Sequence, residues 1–170
     1  MTRVTSLDNP RVKEASRLVA SSRDRRKLGR CVLEGVHAID AYLARVGQPE
    51  TLIVAQDAVA QPSLAAVIAR TAPSRLVVVS RALLGEIATL PPDIGAIAVI
   101  VTPQAPPAAA ADFCLLLEDV QDPGNVGSML RSAAAAGVRQ VHLSGDSVFA
   151  WSPKVLRAAK GAHFHLAIYE

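Results

Sequence analysis

The sequence contains few aromatic residues and no long uninterrupted apolar segment. Of its 170 residues, 51% are apolar, but only 4% are Phe, Trp or Tyr. The most apolar stretch, residues 94–117, is interrupted by Pro103, Pro106 and Pro107, which excludes a transmembrane helix there. The first ten residues lack the apolar centre of a secretory signal, so we expect a cytoplasmic protein that binds no membrane.

Cysteine and histidine are also scarce, and their positions do not suit a metal site. Cys31 and Cys114 each lie within an apolar run, which predicts two buried strand residues in a reducing compartment. The four histidines do not have metal-ligand spacing relative to the cysteines, so we expect no bound metal. His163 and His165 would share one face of a predicted strand.

Positive charge is concentrated near the N terminus. Residues 11–30 include eight basic side chains and two acidic ones, whereas the rest of the chain has ten basic and thirteen acidic ones. This asymmetry is typical of a protein that binds a polyanion. The alternative is a solvated helix face followed by a charged loop. Because no aromatic residues are interleaved, the segment favours contact with phosphates over stacking on bases. The candidate contact residues are Arg11, Lys13, Arg17, Arg23, Arg25, Arg26, Lys27 and Arg30.

Short apolar strands alternate with helices in the first hundred residues. Apolar spacing predicts a helix over 10–20, begun by Asp8 or Asn9. Ser80 is expected to cap a later helix. The predicted strands are 30–34, 51–55, 75–80 and 96–101, and the further helices are 36–44, 63–70 and 81–90. This alternation predicts an α/β architecture.

A second predicted domain follows a stretch rich in proline and alanine. Residues 103–111 are interpreted as a linker between a domain of residues 1–102 and a domain of residues 112–170. In the second domain we predict strands 112–120, 140–144 and 162–169, with helices 125–136 and 153–160 between them. Two crossovers of this kind give a three-stranded parallel sheet, and we expect so small a unit to leave apolar surface uncovered.

The most informative residues follow the predicted strand 112–120, at the sheet edge where ligands bind in open α/β folds. Asn125 is expected to cap the next helix. On that helix Gly127 precedes Arg131 by one turn, and its missing side chain would let a ribose or substrate backbone approach the guanidinium. Alternatively, Gly127 only permits close packing, and Arg131 pairs with one of three acids, Glu118, Asp119 or Asp122. The chain contains neither a dinucleotide fingerprint nor a Walker-type Gly-Lys-Ser or Gly-Lys-Thr.

The run Asp122-Pro-Gly-Asn-Val-Gly-Ser-Met-Leu-Arg131 resembles the first signature motif of the SpoU family of RNA ribose 2′-O-methyltransferases, in the SPOUT superfamily. The motif's Asn, Gly and Arg fall on Asn125, Gly127 and Arg131. Residues 152–157 and 161–164 resemble the stretch that follows in this family. The Asn-Pro start with its basic helix, and Val32-Leu-Glu-Gly35, are similar to the family's N-terminal substrate-binding domain of L30e-like fold.

This resemblance implies methyl transfer from S-adenosylmethionine to a ribose 2′-hydroxyl of ribosomal or transfer RNA, by a homodimer. Arg131 and Asn125 would be the catalytic residues, with Asn125 helping to shape the site, as Gly127 would, and the eight basic residues would contact RNA. Glu34 would lie near RNA or at a domain contact, or else cap the following helix. Because a guanidinium is almost never neutral, we expect Arg131 to hold a phosphate and stabilise the developing alkoxide rather than act as a base.

The family's second and third motifs, a Gly-Glu-Gly-type loop and a Ser-Leu-Asn-Val-Ser-type segment, have no counterpart after Gly161. In the family they supply the trefoil knot, the cofactor pocket and much of the dimer interface. We therefore expect an L30e-like α/β domain followed by the start of a SPOUT-type parallel-sheet domain without its knot, with cofactor-binding residues beyond Glu170.

Two other functions remain open from the sequence. One is a non-catalytic RNA-binding protein that uses the L30e-like domain and the basic N-terminal helix. The other is a hydrolase with Asp119 and Asp122 as acid and base, for which the sequence shows no nucleophile.

Overall fold

The computed structural model describes residues 2–89, 95–108, 110 and 113–170. They form two compact units, Met1–Val101 and Thr102–Glu170. Asp112, where we predicted a strand to begin, and Leu90, where we predicted a helix to end, lie outside the described residues.

The first unit contains five strands and five α-helices among its described residues. The strands are β1 (Thr2–Arg3), β2 (Arg30–Glu34), β3 (Thr51–Ala55), β4 (Leu76–Val79) and β5 (Ala96–Val101). The helices are α1 (Pro10–Ala20), α2 (Ser22–Leu28), α3 (Val36–Arg45), α4 (Pro62–Ala69) and α5 (Arg81–Ile87). Short 3₁₀ turns occupy Gln56–Ala58 and Pro73–Arg75.

One mixed sheet forms the centre of this unit, in the order β1-β4-β3-β5-β2. The strands β1, β4 and β3 are parallel, whereas β5 pairs antiparallel with both β3 and β2. The strands β3 and β4 are buried along their whole length, because helices and neighbouring strands cover them. The predicted α/β architecture is confirmed, although the two-residue strand β1 was not predicted.

Helix α1 begins as the sequence predicts. Asn9, rather than Asp8, is its N-cap, and the Asn9 side chain accepts a hydrogen bond of 3.1 Å from the Arg11 backbone N–H. Pro10 occupies the first turn, where its missing N–H costs nothing. Val12 and its helical neighbours Ala15 and Leu18 face the core, which leaves the basic side of the helix exposed.

Residues 22–28 form a helix, so the charged loop of the alternative interpretation is not found there. The Ser21 side chain accepts a hydrogen bond of 3.1 Å from the Asp24 backbone N–H, as in a helix-starting cap. Gly29 ends the helix at φ 59°, a left-handed conformation that suits glycine. The sequence does contain these start and stop signals, but the dense charge between them obscured the short helix.

The described residues of the second unit form three parallel strands and two α-helices. Its elements are β6 (Cys114–Leu117), α6 (Pro123–Ala135), β7 (Gln140–Leu143), α7 (Pro153–Ala159) and β8 (Ala167–Tyr169). The sheet order is β6-β7-β8. This sequential order with crossover helices is the parallel arrangement that we predicted, and it places α6 and α7 on one face of the sheet.

Strand β6 differs from the prediction of a long buried strand. It is four residues long, and Cys114 and Leu116 on one face of the strand are exposed, Leu116 to 71%. The prediction of a buried residue is therefore wrong for Cys114, whereas Cys31 in β2 is buried as expected. The apolar surface left uncovered on this small unit, including Phe113, was anticipated from its size.

The predicted strand 162–169 is shorter than expected. Residues Ala162–His165 form a 3₁₀ turn, and only Ala167–Tyr169 pair with β7. His163 and His165 therefore do not share a strand face, since His163 is buried and His165 is exposed. Gly161, at φ 89°, starts this turn, and that left-handed conformation interrupts the extended chain.

Candidate functional site

The loops that follow β6 and β7 are joined by hydrogen bonds at the carboxyl edge of the sheet. The Ser144 hydroxyl accepts from the Asp119 backbone N–H at 2.9 Å, and the Ser147 hydroxyl accepts from the Val120 backbone N–H at 3.1 Å. The Val120 carbonyl in turn accepts from the backbone N–H of Val148 at 2.9 Å. The loop that leads into α6 is therefore held by the loop after the neighbouring strand.

Gln121 and Asp119 complete this link between the loops. Asp119 has φ 51°, a conformation uncommon for a residue with a side chain. Its carboxylate accepts a hydrogen bond of 2.6 Å from the Gln121 side-chain amide, which also donates to the Asp146 carbonyl. We call residues 118–122 and 144–148, joined in this way, the loop clasp.

Asp122, rather than Asn125, is the N-cap of α6, which corrects our prediction. Its carboxylate accepts a hydrogen bond of 2.7 Å from the Asn125 backbone N–H, and Pro123 takes the first helical position. Both carboxylates of the hydrolase hypothesis are thus engaged, Asp119 with Gln121 and Asp122 with the helix. Among the described residues, neither carboxylate has a hydrogen bond with a serine, threonine or cysteine side chain that could act as a nucleophile. The structure therefore gives the hydrolase hypothesis no support.

Arg131 is the one charged residue of α6, and its side chain is exposed. Within the described part of the chain it has no hydrogen bond or ion pair, so the suggested pairing with Glu118, Asp119 or Asp122 is not found. Asn125 is also exposed, but it precedes Arg131 by six residues, roughly 9 Å along the helix axis. The helix therefore presents both predicted catalytic residues to solvent without bringing their side chains into contact.

Gly127 is buried against α7, which corrects our expectation that it leaves room beside Arg131. A Cβ atom at Gly127 would lie 2.4 Å from the Ala158 Cβ and 2.9 Å from both the Ala159 nitrogen and the Val155 carbonyl oxygen. The glycine thus allows α6 and α7 to approach closely, as the alternative interpretation held, although its neighbour is a helix rather than the sheet. Atoms of α7 already fill the space beside Gly127.

Arg25 is not available for RNA contact, which corrects another assignment. It is 6% exposed, and its guanidinium donates to the Leu18 and Val19 carbonyls at 2.5 and 3.0 Å. Burial lowers the pKa of Arg25, although an arginine remains charged at neutral pH. These carbonyls belong to the last turn of α1, so Arg25 satisfies acceptors that the helix leaves unpaired.

Three more of the eight basic residues interact within the protein. Arg17 forms an ion pair of 2.7 Å with Asp24, and Arg11 donates to the Ser74 carbonyl at 2.8 Å. The hydrogen bond from Arg17 holds the pKa of Asp24 at about 2, below its ordinary value of 3.8. Arg30 is paired with Glu14 and with Glu50, so it serves mainly to connect α1 with the sheet.

The other members of the basic segment are exposed on α1 and α2. They are Lys13, Arg23, Arg26 and Lys27. Lys13 and Arg17 also line a shallow groove of about 420 Å³ together with Pro10, Glu14 and Leu28. The structure therefore retains an exposed cationic surface here, but a smaller one than the sequence count indicates.

Glu34 is a buried acceptor, which corrects both alternatives drawn from the sequence. It is 7% exposed, and its two carboxylate oxygens accept from the Thr89 backbone N–H at 3.0 Å and the Thr89 hydroxyl at 2.8 Å. Helix α3 begins at Gly35 without a side-chain cap. Glu34 therefore fixes the chain after α5 and does not face a ligand.

One cleft among the described residues of the second unit does not fit S-adenosylmethionine. It has a volume of about 270 Å³ and lies between residues 103–106 and 164–168, with Trp151 and Phe164 among its apolar walls. Gln104 and His165 are its only polar side chains, so it offers no carboxylate for ribose hydroxyls or for the amino group of the cofactor. Among the residues that can be described, no cluster of His, Cys, Asp and Glu suits a metal, and no helix could span a membrane.

Sequence reasoning missed the residues of the loop clasp. Gln121, Ser144 and Ser147 were not singled out, because their partners lie about 25 to 30 residues away and become neighbours only when β6 and β7 pair. The one available signal was the concentration of polar residues immediately after each strand. The inward position of Arg25 had no such signal, because the Leu18 and Val19 carbonyls that accept from it belong to a different helix.

Comparison with known proteins agrees with this architecture. Residues 112–170 match the SpoU rRNA Methylase family, and residues 9–98 match the MRM3-like substrate binding domain. Over 164 residues the chain is 37% identical to an uncharacterised tRNA/rRNA methyltransferase of Synechocystis sp., covering 94% of this chain and 58% of that protein. Over 60 residues it is 47% identical to the 23S rRNA (guanosine(2553)-2′-O)-methyltransferase of Bacillus subtilis, covering 35% of this chain and 24% of that protein.

Solved structures extend the likeness to both units. A crystal structure described as an RNA 2′-O ribose methyltransferase matches with a TM-score of 0.79 at 30% identity, covering 99% of this chain and 65% of that chain. The chain thus spans less than two thirds of the relatives that it matches along its length. The matches to both units and the motif on α6 show that this chain belongs to the SpoU rRNA methylase family and carries its MRM3-like substrate-binding domain.

Proposed function

We propose that the protein transfers a methyl group to the 2′-hydroxyl of a ribose in ribosomal or transfer RNA, with Arg131 at the reacting nucleotide. The observation that carries this proposal is the state of Arg131. It is the one charged residue on a helix that starts at the carboxyl edge of a parallel sheet, and it is exposed without a partner in the described chain. The similar RNA 2′-O ribose methyltransferase structure supports the choice of a ribose hydroxyl.

The chemistry of a guanidinium determines what Arg131 does in this reaction. Its pKa above about 12 keeps it charged, so it does not remove the hydroxyl proton. It presents a fork of N–H donors that can bind a phosphate next to the ribose and stabilise negative charge as it develops on O2′. The loop clasp fixes the start of α6 and thereby limits movement of Arg131 relative to the sheet edge.

S-adenosylmethionine is the methyl donor in this proposal, as family membership implies. When bound, it supplies an electrophilic methyl group on sulfur. The cleft beside Trp151 and Phe164 does not fit it, and we assign none of the described residues to it.

RNA binding in this proposal begins at the exposed cationic side of α1 and α2. Lys13, Arg23, Arg26 and Lys27 are exposed there, and the similar family domain is described as substrate binding. Their affinity for RNA should fall steeply with salt, because each phosphate contact releases counterions. Arg25 and Glu34 are excluded from this surface by burial.

A homodimer in the cytoplasm is part of the same proposal. The exposed apolar residues Phe113, Leu116 and Met129 of the second unit support a contact between copies. Two cysteines without disulfides suit a reducing compartment. Sedimentation equilibrium tests the dimer, and fractionation of cells that express the tagged protein tests the location.

Substitution of Arg131 tests the proposed activity. Transfer of tritium from labelled S-adenosylmethionine to bulk ribosomal and transfer RNA is measured for the protein and for Arg131→Ala and Arg131→Lys. We expect Arg131→Ala to lower the rate by about 10²-fold or more, since a charge-stabilising donor is lost. Arg131→Lys should restore little, because lysine lacks the planar fork. Arg139→Ala, an exposed arginine of the same unit, is the matched control and should retain activity. Full activity in Arg131→Ala would refute the assignment.

A second candidate function is RNA binding without methyl transfer. The specific observation in its favour is the exposed cationic surface of α1 and α2, with Lys13, Arg23 and Lys27. It predicts salt-dependent RNA binding by the 170-residue chain together with no methyl transfer and no measurable binding of S-adenosylmethionine. Calorimetric titration of S-adenosylmethionine into the chain separates the two candidates, since binding would contradict the second.

A further inference from the structure

Helix α7 and its C-cap carry three exposed cations within seven residues. Lys154, Arg157 and Lys160 are all exposed, and the helix contains no acidic residue. In the part of the chain that the structure describes, none of the three has an ion pair or a side-chain hydrogen bond. Lys154 and Arg157 are three positions apart, so their like charges repel along one side of the helix.

These three cations differ from most of the basic residues in the first unit. In that unit the guanidinium groups of Arg17, Arg25 and Arg30 bind carboxylates or carbonyls of the protein itself, so they stabilise its internal structure. Lys154, Arg157 and Lys160 make no such contribution to folding. Uncompensated cations of this kind are suited to an anionic ligand supplied from outside.

Arg131 lies on a helix that packs against α7. The two helices touch where Gly127 meets Ala158, and both cover one face of the sheet. Arg131 lies one turn beyond Gly127 on α6, and Lys154 lies one turn before Ala158 on α7. Both side chains are exposed, so two neighbouring helices carry Arg131 and the three cations of α7.

The exposed side of α6 adds no negative charge to this surface. Apart from Arg131 it consists of uncharged residues, Gly124, Asn125, Ser128, Met129, Ser132 and Ala135. The nearest acid on these two elements is Asp122, which caps the start of α6. The exposed sides of α6 and α7 therefore carry four cations and no acidic residue, and most exposed side chains of α6 are short.

We propose that Lys154, Arg157 and Lys160 form a phosphate-binding strip that holds the RNA backbone beside the nucleotide presented to Arg131. This inference rests on the proposed function, and it identifies a second RNA contact, separate from the basic surface of α1 and α2. The ligand chemistry is a polyribonucleotide backbone, because a row of cations recognises repeated phosphates and the strip has no aromatic residue for stacking on bases.

The salt dependence of RNA binding tests the strip. One variant carries Lys154→Gln, Arg157→Gln and Lys160→Gln, and a matched control carries Arg3→Gln, Arg45→Gln and Arg139→Gln, which are exposed cations elsewhere. Both variants lose three positive charges. Glutamine is a good helix former, and circular dichroism melts confirm that both variants fold. Binding of bulk ribosomal RNA to the full 170-residue chain is measured by filter retention between about 50 and 200 mM KCl.

We expect the α7 variant to lower the slope of log affinity against log salt by about 2 to 3, since each phosphate contact accounts for about 0.7 to 0.9. The control should change the slope by less than about 1. Equal slopes in the two variants, or an unchanged slope in the α7 variant, would overturn the strip. A change in oligomeric mass of the α7 variant, without a change in slope, would assign the strip to contact between copies and would also overturn the inference.

The outcome is independent of the proposed methyl transfer. If the slopes differ as expected but no RNA is methylated by the protein, the strip stands and the proposed function fails. If RNA is methylated but the two variants have the same slope, the function stands and the strip fails.

Discussion

The close contact of α6 with α7 gives a sharp prediction for Gly127→Ala. A Cβ at this position would lie 2.4 Å from the Ala158 Cβ and 2.9 Å from the Ala159 nitrogen and the Val155 carbonyl oxygen. Two of these atoms are backbone and the third is a Cβ, so no side chain can rotate away. The added methyl group must displace helix α7 itself.

Two opposing effects determine the size of the change. At an open helical position Ala is more stable than Gly by about 1 kcal/mol, because glycine loses more backbone freedom on folding. Overpacking a tight core costs about 1 to 3 kcal/mol, and a contact of 2.4 Å places this site at the upper end. We therefore expect Gly127→Ala to lower the free energy of unfolding of the second unit by about 2 kcal/mol.

Urea unfolding monitored by tryptophan fluorescence measures this change. The chain has one tryptophan, Trp151, which is 5% exposed in the second unit and so reports on the part that contains Gly127. Ser128→Ala and Ser128→Gly provide the control, because position 128 is exposed on the same helix. There the Ala variant should be the more stable one, by about 1 kcal/mol.

If Gly127→Ala instead stabilised the unit as an open position does, α7 would not lie against this glycine, and the reasoning would be refuted. Ala158→Gly in the Gly127→Ala background should recover part of the loss, since it removes the nearest of the three atoms. Lack of any recovery would show that the contact with Ala158 does not cause the effect.

Three further predictions follow from single residues. Arg25→Ala should lower the free energy of unfolding by about 2 to 4 kcal/mol, because two carbonyls of α1 lose a charged donor, whereas Arg23→Ala should change thermal melts little. Asp122→Ala removes the cap of α6 and should cost about 1 kcal/mol in urea unfolding, a loss that Asp122→Asn should largely avoid. Burial lowers the pKa of His163 to about 4, below its ordinary value of 6.5, while its hydrogen bond with the Ala150 carbonyl opposes the shift. At a pH between these two pKa values, His163 takes up a proton in the unfolded chain but not in the folded chain. The free energy of unfolding therefore falls as pH falls, by about 2 kcal/mol from pH 7 to pH 5. Urea midpoints at both pH values test this, and His163→Gln should show a smaller difference.

The strand and helix positions of the first unit were largely predictable because they depend on local apolar patterns. The strands β2, β3 and β5 have the predicted bounds, and α1 begins at the predicted Asn9–Pro10 signal. The prediction failed where residues with the same local pattern face different surroundings. Cys114 lies in an apolar run like Cys31, and both are on edge strands, yet Cys31 is buried and Cys114 is exposed.

In the candidate site, too, the local features were predictable and the contacts between distant segments were not. Asn125 and Arg131 were identified from their motif and are both exposed on α6. The role of Gly127 could not be predicted, because the atoms that surround it belong to α7, which follows nearly thirty residues later. The charge count of the basic segment overstated its exposed surface, since the partners of Arg17, Arg25 and Arg30 depend on how two helices and the sheet pack.

The sequence by itself determined the α/β class, most element positions, the family motif on α6 and the cationic character of the N-terminal segment. Each of these depends on residues close together in the chain, through periodicity, capping and local charge. Only the tertiary structure decided that Arg25 and Glu34 are internal, that serines after β7 hold the loop before α6, and that the helix of Arg131 packs against α7. Those facts depend on contacts between distant segments, which form when packing excludes water and which no local pattern encodes.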